Sequence, residues 1–117
     1  MSDLVARVLA QRECWVDLGG GLAVRLRRPD ALARARMAGM DRSAVIEAAI
    51  ASAVNWRGIT EASVLGAAHG SDAVVAFDAE LWAVLAGDRA DWMQAVLTAY
   101  LDLIEKHAAQ QEAAAKN

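Results

Sequence analysis

The stretch Glu13-Cys14-Trp15-Val16-Asp17-Leu18-Gly19-Gly20-Gly21-Leu22-Ala23-Val24-Arg25-Leu26-Arg27-Arg28 decides the fold. Cys14, Val16 and Leu18 alternate with Trp15 and Asp17, and Leu22, Val24 and Leu26 alternate with Ala23, Arg25 and Arg27. Alternation with period two marks a half-buried strand. Three successive glycines enter positive φ without steric cost and make the turn between two such strands. The reading is a β-hairpin with one apolar face, Cys14, Val16, Leu18, Leu22, Val24 and Leu26, and one wet face carrying Arg25 and Arg27. An isolated hairpin is marginal in water, so this one must lean on helices.

The remaining sequence supplies them. With 117 residues the chain forms one domain around one small core. Of its 66 hydrophobic residues 28 are alanines, the best helix formers, and a single proline leaves long helices uninterrupted. The expected fold is α+β: a mostly helical single domain over residues 1–108 with an N-terminal β-hairpin packed on helices, then a frayed tail over 109–117.

Leu4, Val5, Val8 and Leu9 recur at three and four and predict a helix over 3–12. Pro29 suits the first turn of a helix over about 29–37. Val45, Ile46, Ala49, Ile50, Ala53 and Val54 form one apolar stripe on a helix over about 42–55. Thr60 reads as a cap with Glu61 at the positive end of the helix dipole, and Ile59 with Val64 as a hydrophobic staple, for a short helix over 61–66. Residues 66–72 read as a loop and Val74–Phe77 as extended. Asp78 then repeats the capping logic, with Phe77 and Trp82 as the staple pair, for a helix to about Ala86. Gly87 breaks it and Asp88 caps the last helix, about 89–108, which carries Trp92, Val96, Ala99, Tyr100, Leu103, Ile104 and His107 on one side and an Asp102–Lys106 pair on the other.

Composition narrows the function. No stretch approaches the roughly 20 apolar residues that cross a bilayer, and Asp3, Arg7, Arg12 and Glu13 interrupt the N-terminus, so neither an anchor nor a signal peptide is expected. A single cysteine, Cys14, fits a reducing compartment, and His69 and His107 lie too far apart for a metal-ligand cluster, so no metal, cofactor or catalytic group is expected. Residues 1–40 carry seven arginines against four acids, whereas residues 41–117 carry five basic residues against eleven acids. That balance disfavours broad nucleic-acid binding, which depends on neutralising phosphates.

Arg25, Arg27 and Arg28 could grip phosphates or an acidic partner, or simply solvate a strand edge. Four tryptophans among so little apolar bulk are more telling. Trp82 and Trp92 occupy core-facing helical positions. Trp15, opposite Cys14 and Val16, and Trp56, at the expected helix exit, are the candidate anchors for a partner, together with Arg25 and Arg27.

The run Val54-Asn55-Trp56-Arg57-Gly58-Ile59-Thr60-Glu61, followed by Val74-Val75-Ala76-Phe77-Asp78-Ala79-Glu80-Leu81 and a closing acidic helix, resembles the tail assembly chaperones of long-tailed bacteriophages, prophages and gene transfer agents. The resemblance covers roughly residues 14–107 and includes the basic strand entering Arg28-Pro29; Ala76 departs from it, since proline commonly precedes the phenylalanine. Gly58, Thr60, Phe77, Asp78, Trp82 and Trp92 are structural in this reading: a tight exit, and a capped and stapled helix start. The resemblance implies a non-enzymatic protein of the bacterial cytoplasm that binds the tape-measure protein and keeps it soluble. It further implies a form extended by a −1 ribosomal slip that engages the tail-tube protein. Ala115-Lys116-Asn117 can be encoded with the slippery heptamer A AAA AAC, which the codons GCC AAG AAT would abolish. Two other roles stand beside it. One is a structural virion subunit of the head-to-tail joining or tail-completion type, which would assemble closed rings. The other is a small DNA-binding regulator with a helix-turn-helix over 41–60, disfavoured by the scarcity of basic residues there.

Overall fold

A computed structural model describes residues 3–116. The elements are α1 (Asp3–Ala10), β1 (Glu13–Gly19), β2 (Leu22–Arg27), α2 (Ala31–Met37), α3 (Arg42–Ala51), β3 (Ala53–Arg57), α4 (Glu61–Leu65), α5 (Ala79–Gly87) and α6 (Ala90–Lys116). The fold is α+β, with the hairpin and helices that the sequence implies and a third strand that it does not.

The hairpin pairs Cys14 with Leu26, Trp15 with Arg25 and Val16 with Val24. Gly19, Gly20 and Gly21 all take positive φ, and the Asp17 carboxylate accepts the Gly19 N–H at 2.8 Å, which closes the turn. β3 lies antiparallel on the other side of β2, giving the order β1-β2-β3 and pairing Val24 with Trp56 and Leu26 with Ala53. The helix expected over 42–55 therefore ends at Ala51, and Ala53 and Val54 belong to a strand. The cause is long-range. β2 presents unpaired backbone groups along its free edge, and Ala53, Asn55, Trp56 and Arg57 pair with them, with Val54 at an irregularity of the register, while burying an indole. Ser52 closes α3, its hydroxyl donating to the Ala49 carbonyl at 2.6 Å. The second helix of a helix-turn-helix is thus absent from residues 41–60.

Other boundaries move by local chemistry. Asp30 caps α2 by accepting the Ala33 N–H, so Pro29 precedes the helix and is buried. Asp41 caps α3 in the same way. α1 stops at Ala10. Asp88 is the C-cap of α5 and not the start of α6: its N–H donates to the Leu85 and Ala86 carbonyls, and α6 begins two residues later. α6 does not end near 108 but continues to Lys116, exposed throughout its last turns.

The capping expected at Thr60 and Asp78 is present. Thr60 and Ser63 form a reciprocal box, and the Asp78 carboxylate accepts the Leu81 N–H at 2.9 Å. The segment 71–77 then returns as a strap. Val75 N–H donates to the Ile59 carbonyl, Trp56 Nε1 donates to the Val75 carbonyl at 2.7 Å, and Phe77 meets the Trp56 ring edge-on at 5.2 Å. Val16, Val24 and Leu26 from the sheet join Ala49, Ile59, Trp82, Ala86, Trp92, Val96, Leu97 and Tyr100 in one core, with α6 crossing the apolar face of the sheet. Trp82 is its centre: Nε1 donates to the Ile50 carbonyl at 2.9 Å and the ring stacks on Trp92 at 6.0 Å.

Gly58 has φ of 80°, and a Cβ there would collide with the Gly21 carbonyl in the hairpin turn. Gly39 also has positive φ but has nothing within 4 Å of a built Cβ. Gly58→Ala is expected to cost about 2 kcal/mol or more, from the left-handed backbone plus the collision, and Gly39→Ala about 1 kcal/mol, in urea midpoints at neutral pH. Equal losses would remove the contact between the Gly58 turn and the hairpin.

Candidate functional site

The sheet's outer face brings together three of the four expected anchors. Trp15 is 39% exposed, and the Arg25 and Arg57 guanidinium carbons lie 5.5 and 4.4 Å from its ring centroid, both within cation–π reach. Arg27 lies beside them and forms two hydrogen bonds to Glu13 Oε2, at 2.9 and 3.2 Å. Arg25 Nε approaches the other Glu13 oxygen at 3.5 Å without forming a hydrogen bond. Glu13 is nearly enclosed by this pair of arginines, whereas both guanidinium side chains remain more than a third exposed. Charge complementarity there is local, and the open part of the face is an indole with cations on it.

The fourth expected anchor is elsewhere. Trp56 is 6% exposed and belongs to the core, because β3 turns its ring to the opposite face from Asn55 and Arg57. It is corrected from recognition residue to core residue. Arg57 takes its place beside Trp15, and sequence reasoning missed it by placing residue 57 at a helix exit, where strand alternation does not apply.

A second surface lies on the other side of the sheet order. α3 and α5 diverge to leave an open groove of about 750 Å³. Ser43, Ile46, Glu47 and Ile50 form one wall, at the three- and four-residue spacing of a single helix face. Ala79, Ala83 and Gly87 contribute the other at four-residue spacing, and Ala51, Ala53, Trp82 and Met93 also line the groove. Small residues on α5 keep that wall low. Among the described residues that line it, Glu47 and Glu80 are the charged ones, so an apolar trough has an acidic margin.

Among the described residues, no group of His, Cys, Asp and Glu is placed to hold a metal ion. Cys14 is half-buried against α6, and burial, then the Asp102 carboxylate, push its thiol above the ordinary range. Asp102 pairs with Lys106 at 3.0 Å, as its spacing implies. His69 is exposed in the loop after α4. Trp92 Nε1 is buried without an acceptor among the described residues, while Arg89 covers its ring at 4.5 Å. At the far end of α6, His107 is half-buried, and Arg28, Arg34 and Arg12 act on it. No helix among the described residues is long and apolar enough to cross a membrane.

No family model, no curated protein and no solved structure matches the chain.

Two expectations follow. Trp56→Ala removes a core ring and a buried hydrogen bond and should cost about 3–5 kcal/mol, whereas Trp15→Ala should cost about 1 kcal/mol, both read from urea denaturation. Burial, then the three arginines, hold the His107 imidazole below its ordinary value. The unfolded chain therefore takes up this proton at higher pH than the folded one. The contribution of His107 is complete above the ordinary histidine range, about 6.5, and is lost as pH falls through it. The urea midpoint should fall modestly between pH 7.5 and 5.5, and fall less in His107→Gln.

Proposed function

We propose that this chain is a non-catalytic binding protein of the tail assembly chaperone type, which holds the tape-measure protein in the bacterial cytoplasm until tail-tube subunits polymerise around it. The observation that carries the reading is the α3–α5 groove. Its two helical walls, small on one side and aliphatic on the other, suit the apolar stripe of a third helix laid between them. A long helical client offers many such stripes and aggregates when they are bare. A shallow groove with few polar contacts suits a holder that must later release its client, because affinity rests on apolar area without a deep anchor. Glu47 and Glu80 select clients whose stripe is flanked by Lys or Arg.

The sheet face fits a second, acidic contact, since Arg25 and Arg57 lie over an exposed Trp15 and Arg27 stands on the same face, paired with Glu13. In this reading it is where a tail-tube protein would meet the complex.

The test is co-expression with the tape-measure protein encoded beside this gene. Soluble tape-measure protein should rise several-fold over expression alone, and Ala83→Arg, which fills the groove from an exposed position, should abolish the rise while leaving the chaperone folded. A tape-measure protein equally insoluble with and without the chain would overturn the proposal. A stable closed ring found in purified particles would support the joining-subunit role in its stead.

A further inference from the structure

The molecule carries an exposed apolar pair on a helix as well as an open groove. Leu4 and Val8 of α1 are 62% and 41% exposed and lie one turn apart on the same side. The lengths agree: eight residues of α1 and the α5 wall from Ala79 to Gly87 each span about 12 Å.

The charges agree as well. α1 belongs to the cationic first third of the chain, with Arg7 on the helix and Arg12 just beyond it, and the groove margin is Glu47 and Glu80. Arg7 pairs with Asp3 at 3.2 Å, but both side chains are largely exposed, so that bond is weak and exchangeable.

α1 cannot fill the groove of its own chain. It is tied to β1 through a two-residue turn in which the Gln11 and Arg12 N–H groups donate to the Arg7 and Leu9 carbonyls, and the Arg12 carbonyl in turn accepts the Arg28 N–H. β1 is the sheet edge opposite β3, whose first residue, Ala53, lines the groove. Met93 at the groove and Lys106, whose charge acts on Cys14 of β1, are separated by about 20 Å along α6.

We infer that α1 of one copy docks in the α3–α5 groove of a second copy. The contact is heterologous, each copy offering one helix and one groove, so association extends past the dimer as concentration rises. An eight-residue helix makes a small interface, and the association is correspondingly weak and reversible. The inference depends on the groove and on α1, not on the identity of any client. A client helix and a neighbour's α1 would compete for one place.

Sedimentation velocity of the purified full chain, from about 5 to 500 µM, tests it. The weight-average mass of wild type should at least double over that range. Leu4→Asp with Val8→Asp, and separately Ala83→Arg, should stay monomeric with unchanged circular-dichroism melts, since all three positions are exposed. Mixed in equal amounts, the two variants should form a dimer and stop there, because each keeps one of the two surfaces. Glu47→Lys with Glu80→Lys, a change of charge without added bulk, should weaken association at least tenfold. A wild type that remains monomeric, variants that associate like wild type, or a mixture that stays monomeric overturns the inference, and none of these results bears on whether a tape-measure protein is solubilised.

Discussion

The rest of the structure depends on the burial of Trp82. Its indole lies at the meeting of three helices, stacked on Trp92 of α6 and hydrogen-bonded to the Ile50 carbonyl near the end of α3. A buried indole N–H left without an acceptor costs about 1–3 kcal/mol, so the bond to Ile50 fixes how far α5 stands from α3 as well as satisfying the donor. That spacing is what leaves the groove open. Trp82 fills the floor, and Ala79, Ala83 and Gly87 on the same helix offer too little bulk to close the trough above it. The core and the candidate binding surface are thus two faces of one helix, separated by the size of its side chains.

The other half of the molecule is held by a chain of backbone fits. Gly58 passes so close to the Gly21 carbonyl that no side chain fits between them, which fixes the end of β3 against the hairpin turn. From there Ile59, Thr60 and Glu61 receive the returning strap through the Val75 N–H, the Thr60–Val74 bridge and the Ala73 carbonyl. Trp56 completes the closure by donating to Val75 and packing on Phe77. The two short segments 54–61 and 74–81 are therefore in contact with each other, 19 residues apart at that hydrogen bond. They form one joint between sheet and helices.

Much of this was legible in the sequence because the signals were local. Alternation and three glycines specify a hairpin without reference to anything distant, and Thr60 and Asp78 cap helices within three residues of themselves. β3 was not legible. Ala53 and Val54 continue the apolar spacing of α3 by one more turn, and only the vacant edge of β2, 27 residues away at the Leu26–Ala53 pair, makes a strand the better outcome. The error propagated to the site: a helix exit at Trp56 implies an exposed indole, whereas a strand there buries Trp56 and delivers Arg57 to Trp15. The groove was illegible for a similar reason, its walls coming from segments separated by 29 residues between Ile50 and Ala79. The one trace of it was the series Ala79, Ala83 and Gly87, small residues at a helical repeat where a core helix would carry bulk.

The uneven charge of the chain acquires a structural meaning from this arrangement. The cationic N-terminal segment contributes α1 and most of the open sheet face, and the acidic remainder contributes the groove, with Glu47 and Glu80 on its margin. Opposite charge therefore lies on different surfaces that share one strand: Ala53 at the start of β3 lines the groove, and Arg57 at its end stands over Trp15. The groove margin presents negative charge and Trp15 with its arginines presents positive charge, so the two surfaces differ in sign as well as in shape.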